Sequence, residues 1–433
     1  MKNLFTLKKY FVHYKKKLFW GFLFILFSNA GTAYLPLILK DSINALRQNV
    51  KSERLIEYGL LIIGTALFAG VFRFLIRQTI IVVSRDIEFD MRHDFWSHIQ
   101  RLPLRFFQNN STGNIMAHAT NDINAVRMFF GPAVMYSIDT GIRLIVVITI
   151  MLSLNFSLTI YSLIPLPFLS YLVYKVSKLI HEKFTLIQEK FSDLTTKAQE
   201  SFSGIRAIKS YVREENEIKD FGKLSMQYLT RNMDMIKIQA LFQPILFLIT
   251  GLSIIIVIWL GGNKIIEGTL DLGEITAFIA YLELLIWPVI AFGWVINIIQ
   301  QAEASMKRIN KIYNEPREID DTAETDYSIK TIVGAIEFYN VSFRYSENLP
   351  EVLSNINLNI PAGSTVAIMG YTGSGKTSMI NLISRLYDTT NGEVLIDGKP
   401  IKSIPLDVLR QNIGVVQQEA FLFSDTIKNN ISY

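Results

Sequence analysis

Gly370-Tyr371-Thr372-Gly373-Ser374-Gly375-Lys376-Thr377 is the stretch on which the reading of this chain turns. It fits G-x-x-x-x-G-K-[ST] at every fixed position. Glycines let a backbone wrap closely and aim its N–H groups at phosphate oxygens. The Lys376 ammonium then reaches the β- and γ-phosphates, and the Thr377 hydroxyl is a hard oxygen ligand suited to Mg²⁺. Such a loop has meaning only between a strand and a helix. Ser364–Met369 before it reads as a compact buried strand, and Thr377–Leu386 after it reads as a helix whose N-terminal dipole favours phosphate. The nucleotide-binding candidates are therefore Gly370, Tyr371, Thr372, Gly373, Ser374, Gly375, Lys376, Thr377 and Ser378. The opposing reading, a glycine-rich turn that matches by chance, leaves both flanks unexplained.

Outward from the loop, short β-rich runs continue. Ile336–Tyr345 alternates, Ile356–Ile360 is closed by Pro361-Ala362-Gly363, and Gly392–Ile396 is followed by the turn pair Asp397-Gly398. Upstream, the composition changes at Glu315-Pro316-Arg317, and Asp320, Asp321, Glu324 and Asp326 make an acidic linker. The expected division is a first domain over 1–315, a linker over 316–335 and a P-loop domain over 336–433.

The first domain has another character. Of 433 residues 50% are apolar and only 19% charged, against about 25% charged in soluble domains, and the mean hydropathy is +0.28. The excess sits in six runs long enough to cross a bilayer, roughly 18–39, 58–83, 133–154, 158–176, 240–261 and 273–299. A net charge of +5 invites a nucleic-acid reading. The basic residues cluster between the apolar runs instead, as the positive-inside rule expects, so no nucleic-acid partner is predicted. There is no cysteine, which excludes disulfides, a thiolate nucleophile and a cysteine-based zinc site.

At the N-terminus, Lys15-Lys16-Lys17 before an apolar run imitates a secretory signal. The run resumes through Ala33–Leu39 and reaches the length of a spanning helix, the reading preferred here. Residues 4–15 read as a short amphipathic segment on the membrane surface. The connections are unequal: Ser153–Ser157 and Gly262–Leu272 are short, whereas Asp86–Arg127 and Lys175–Lys237 are long, charged and still helical in period. Phe95, Ile99 and Leu102 share one face, as do Ile187, Phe191 and Leu194. Six crossings with both long connections inside place both termini in the cytoplasm, where ATP is.

Five charges fall within the spans away from their ends. Arg73 and Arg77 lie one turn apart in the second, and Asp139 and Arg143 repeat that spacing in the third. A mid-membrane charge costs about 2.5–3.5 kcal/mol on insertion scales and usually faces a cavity or a partner. One reading pairs Arg77 with Asp139 in a cavity for an amphipathic solute. The other lets the arginines snorkel to the cytoplasmic interface. Glu283 in the sixth span is a further cavity candidate, with a hydrogen bond between helices as its plainer role.

Beyond the loop itself, Val341-Ser342-Phe343-Arg344-Tyr345, Gly392-Glu393-Val394-Leu395-Ile396-Asp397-Gly398, Leu409-Arg410, Ile413-Gly414-Val415-Val416-Gln417-Gln418-Glu419 and Leu422-Phe423-Ser424-Asp425-Thr426-Ile427 together resemble the first part of an ATP-binding-cassette (ABC) nucleotide domain. In the membrane half, Leu102-Pro103-Leu104-Arg105-Phe106-Phe107 with Ser111-Thr112-Gly113, and Glu200-Ser201 with Gly204-Ile205-Arg206-Ala207-Ile208-Lys209, resemble the two cytoplasmic loops of the exporter type of that family, of its multidrug and lipid branch. The resemblance implies a multi-domain fold, an α-helical transmembrane domain of six long helices followed by a partial α/β P-loop NTPase domain. It implies that Tyr345 stacks on adenine, that the loop holds the phosphates of ATP, and that Gln418 contacts Mg²⁺. Gln417 competes for that metal role, and Tyr345 also suits a plain strand-end aromatic. The loops would carry short coupling helices that dock on nucleotide domains.

The implied function is ATP-driven export of an amphipathic or lipid-like solute across the cell membrane by alternating access. The chain would be one half of a homo- or heterodimer. The family's signature segment, acidic metal strand, glutamate base and switch histidine have no counterpart in 336–433, and none of the five histidines lies there. These 433 residues are therefore expected to be a truncated form that binds ATP poorly and does not hydrolyse it. A non-hydrolysing, ATP-binding regulatory subunit and a nucleotide-gated channel are the rival readings.

Overall fold

A computed structural model describes residues 2–48, 51–418 and 421–432. Six helices long and apolar enough to cross a membrane dominate it: Lys15–Arg47, Ser52–Ile99, Thr112–Leu154, Phe156–Ser203, Glu214–Ile266 and Leu272–Tyr313. Every expected span lies inside one of them. Each helix is far longer than the ~20 residues a bilayer needs, because the charged connections keep the helical period. Asn155 makes the tight break between the third and fourth helices, its extended backbone ending one and its side chain capping the next through Leu158 N–H. Gly262–Ile266 proves helical, so the loop expected over Gly262–Leu272 shrinks to 267–271. Glu214, Glu215 and Glu217 open the fifth helix, where carboxylates favour the positive dipole end.

The second and third helices are not uniform. They contain single π-turns at Arg77–Ile81, His118–Asp122 and Phe129–Ala133, the last around Pro132. Gly21 of the first helix packs on the first π-turn so tightly that a Cβ there would lie 2.5 Å from Ile80 Cγ1.

The chain divides into two compact units, residues 1–90 with 123–307, and residues 91–122 with 308–433. The first holds the apolar helix packing, centred on Val147, Met151, Leu158, Val257, Phe278 and Tyr281. In the second, four antiparallel strands are ordered β2-β1-β3-β4: β1 (Ile336–Phe343), β2 (Leu353–Ile360), β3 (Asn391–Ile396) and β4 (Lys399–Pro400). Asp397-Gly398 joins β3 to β4 in a two-residue turn with both φ positive (50° and 74°), the type I′ geometry that this pair favours. The Asp397 carboxylate also accepts from the N–H groups of Val333, Gly334 and Ala335 at 2.7, 3.0 and 2.9 Å, tying the linker to the sheet. Burial raises its pKa, and these three donors outweigh that and leave it below the usual carboxylate range.

Ser364–Met369, expected as a buried strand, is exposed and carries no sheet pairing. A strand buried on both faces takes its hydrogen bonds from neighbours on either side, and among the described residues no segment pairs with it. The helix after the loop is Lys376–Ile383, ending before Arg385, whose φ is +48°.

Candidate nucleotide site and membrane charges

The phosphate loop is shaped by two glycines in the left-handed region, Gly373 (φ +85°) and Gly375 (φ +89°). Gly375 carries a second constraint. A Cβ there would meet Leu353 Cδ2 at 2.8 Å and the Val352 carbonyl at 2.9 Å, because the loop turns directly against the start of β2. Gly375 is also the cap of the following helix, so the unpaired N–H groups of its first turn open toward the loop. The Lys376 ammonium folds back over the loop, donating to the carbonyls of Gly370 and Tyr371 at 2.8 Å each and reaching Ser374 Oγ at 3.4 Å. Phosphate oxygens offer the same ammonium charged acceptors, which make stronger hydrogen bonds than carbonyls.

Thr377 is exposed and its hydroxyl has no hydrogen bond among the described residues, which fits a hard cation that takes its other ligands from phosphates. No cluster of three His, Asp or Glu side chains suited to a metal occurs among those residues. Ser378 differs from its neighbours. It is buried, and its hydroxyl shares a 2.7 Å hydrogen bond with the Tyr345 hydroxyl. Tyr345 thus ties the end of β1 to the phosphate-loop helix. Its ring stands edge-on to Phe343 and Tyr387 at 4.8 and 5.2 Å. Gln417 and Gln418 are both exposed and neither bonds to the loop among the described residues. Glu419 lies outside those residues.

In the same unit the short helix Leu104–Asn109 sits on the sheet. Leu104 packs against its core, Gln108 Oε1 accepts from the Tyr387 hydroxyl at 2.8 Å, and Arg105 pairs with Glu318 at 3.2 Å. Burial, with Tyr345 next, pushes the Tyr387 phenol up. Sequence reasoning missed Asp122. It is buried and bonded to Arg308 and, at 2.6 Å, to His118 Nδ1. One signal for the bond was the i, i+4 spacing of His118 and Asp122.

Among the membrane charges, Asp139 does not pair with Arg77. Its two oxygens accept from Asn29 Nδ2 (2.8 Å) and Arg143 Nη2 (2.9 Å), and Arg143 Nε donates to Asn29 Oδ1 at 3.1 Å. Arg143 wins because it lies one turn away on the same helix, while the buried Asn29 closes the ring from the first helix. Arg73, Arg77 and Asp139 do line one small cavity. Glu283 is exposed and unbonded among the described residues, apart from that cavity.

A phosphate-cradling loop behind six bilayer-length helices defines a membrane transport protein that binds a nucleotide. Residues 18–289 match the family model of the ABC transporter transmembrane region, and residues 353–432 match the family model described as ABC transporter. The chain belongs to the ATP-binding-cassette transporter family, as a half-transporter of the exporter type, a multi-pass membrane protein with an ATP-binding domain. It is 31% identical to an uncharacterised ABC transporter ATP-binding protein of Bacillus subtilis, YknU, over all of this chain and 74% of that one. It is 33% identical to the multidrug resistance-like ATP-binding protein MdlA of Buchnera aphidicola, over 92% of this chain and 69% of the relative. It is 32% identical to an ATP-dependent lipid A-core flippase of Syntrophus aciditrophicus, over 94% and 68%.

Proposed function

We propose that this chain is one half of an ATP-driven exporter of amphipathic or lipid-like solutes, working by alternating access with both termini in the cytoplasm. The observation that carries the reading is the seat of Leu104–Asn109 on the core of the nucleotide-binding unit, tied by Tyr387 and Gln108. This short helix leads into the third long helix, so a movement of the ATP-binding sheet is handed directly to a membrane helix. Relatives named for multidrug resistance and lipid A flipping support the solute class. A second chain, identical or related, fits the other loop helix, Ile205–Ser210, where Phe202, Tyr211 and Val212 stand exposed.

In this reading the domains divide as 1–315 and 336–433 about the linker. Lys376 and the N–H groups after Gly375 hold the phosphates. Thr377 and Gln418 hold the Mg²⁺ that neutralises them, and Tyr345 bears on adenine.

The test is reconstitution of the protein from its own membrane into liposomes. Mg-ATP-dependent movement of a fluorescent amphiphile, lost in Lys376→Ala, is expected. Ion current without amphiphile movement would replace the exporter with a channel.

A further inference from the structure

The chain opens with six lysines, Lys2, Lys8, Lys9, Lys15, Lys16 and Lys17, and has no acidic residue before Asp41. Lys2–Leu7 and Lys8–His13 form a short helical segment ahead of the first long helix. Its side chains sort by helical spacing. Leu7 and Tyr10 are buried, and Phe11 and Tyr14 are half-buried beside them. Phe5, Lys8, Lys9, Val12, Lys15 and Lys16 stand exposed on the opposite face. Lys8, Lys15 and Lys16 have no ion pair among the described residues. Lysines that only fix the orientation of the first span need no apolar side chains among them. Lysines interleaved with exposed apolar side chains suit a surface that is both negatively charged and greasy.

The inward face gives such docking a consequence. The Phe11 ring stands 4.7 Å from that of Phe130 and 6.4 Å from that of Phe129, both in the π-turn Phe129–Ala133 of the third long helix. Asn3 donates to Glu303 of the sixth long helix from its backbone and side-chain N–H groups, at 3.3 and 2.9 Å. Tyr14 and Lys17 donate to Asp90 and Asp86 of the second, both at 2.9 Å. One segment therefore grips three of the long helices.

We propose that the face formed by Phe5, Lys8, Lys9, Val12, Lys15 and Lys16 docks on anionic phospholipid, and that docking tightens the grip of the segment on the third and sixth long helices. The charge of the bilayer then controls how freely those helices move. The inference goes beyond the exporter reading and holds for any solute. A zwitterionic lipid surface carries no net charge for the lysines, and a soluble anion offers no interface to Phe5 and Val12.

The full chain is placed in nanodiscs of phosphatidylcholine and, separately, of phosphatidylglycerol. Amide hydrogen exchange is followed over residues 4–16 and 128–134. Exchange in both stretches should be roughly tenfold slower in phosphatidylglycerol, a difference that shrinks as salt screens the lysines. Glycerol phosphate added to the phosphatidylcholine discs should not reproduce it. Lys8→Gln/Lys9→Gln/Lys15→Gln/Lys16→Gln should abolish the difference, and arginine at the same four positions should keep it. Phe11→Ala should keep it over 4–16 and lose it over 128–134. Equal exchange of the native chain in the two discs, a difference kept by the glutamine variant, or one reproduced by glycerol phosphate overturns the lipid surface. Slowed exchange over 4–16 with 128–134 unmoved in the native chain overturns the transmission to the third helix. The native-chain comparison decides both points even where a variant fails to fold.

Discussion

At Gly375 a left-handed backbone and the contact with Val352 and Leu353 fall on one residue. Gly375→Ala meets both penalties, and a left-handed non-glycine residue alone costs of order 1–3 kcal/mol. ATP binding, followed by displacement of a fluorescent analogue, should weaken more than tenfold, with a lowered melting temperature. Lys376→Ala should lose binding without that thermal loss, since its ammonium touches only loop carbonyls and Ser374. Asp397 gives a pH signature. Its folded pKa lies below the unfolded carboxylate value near 3.9, so its contribution is complete above that value and fades as pH falls through the folded one. Asp397→Asn should flatten the acid limb of a stability profile measured by thermal denaturation. The loop residues were readable because their spacing is the chemistry. The Tyr345–Ser378 bond and the clasp of Asp397 on residues 333–335 were not, because each joins positions that only the fold brings together.

Among the elements, the Leu104–Asn109 helix is the part whose loss should be felt as broken transmission. Leu104→Ala removes apolar packing, and Tyr387→Phe removes one hydrogen bond worth about 0.5–1.5 kcal/mol. ATP binding should persist in Tyr387→Phe while ATP-dependent protection of the third helix from hydrogen exchange diminishes. The ring of Asn29, Asp139 and Arg143 joins the first and third helices. Asn29→Leu leaves Asp139 and Arg143 each short of a partner in an apolar setting, so the protein in detergent should unfold at a lower temperature. The six helices were legible because a bilayer demands long apolar runs. Their length past the bilayer was legible from Phe95 and Ile99, both now buried, although the second helix ends at Ile99 and leaves Leu102 in the turn after it. The partner of Asp139 was not, since spacing within one helix says nothing of an asparagine 110 residues away. The strand expected at Ser364–Met369 failed for a related reason: apolar composition marks a strand, but a neighbour makes one.

For the molecule as a whole, the exporter reading sets a topology. Cysteines placed singly in this cysteine-free chain, at exposed Tyr211 and at Thr269 between the last two long helices, should label from opposite sides of the membrane with an impermeant maleimide. Labelling of both from one side would overturn the six-crossing arrangement. The three π-turns bear on how this sequence tolerates change. An α-helix advances about 100° per residue, so removing one residue from an ordinary segment turns every later side chain away from its neighbours. A π-turn is an α-turn with one residue to spare. Deleting Gln78 or Ala119 should relax that turn to plain α-helix and leave the downstream faces in phase, whereas deleting Leu67 or Thr149 should scramble them. These two long helices thus carry their own positions where the length of the gene can drift by one codon without the membrane packing noticing.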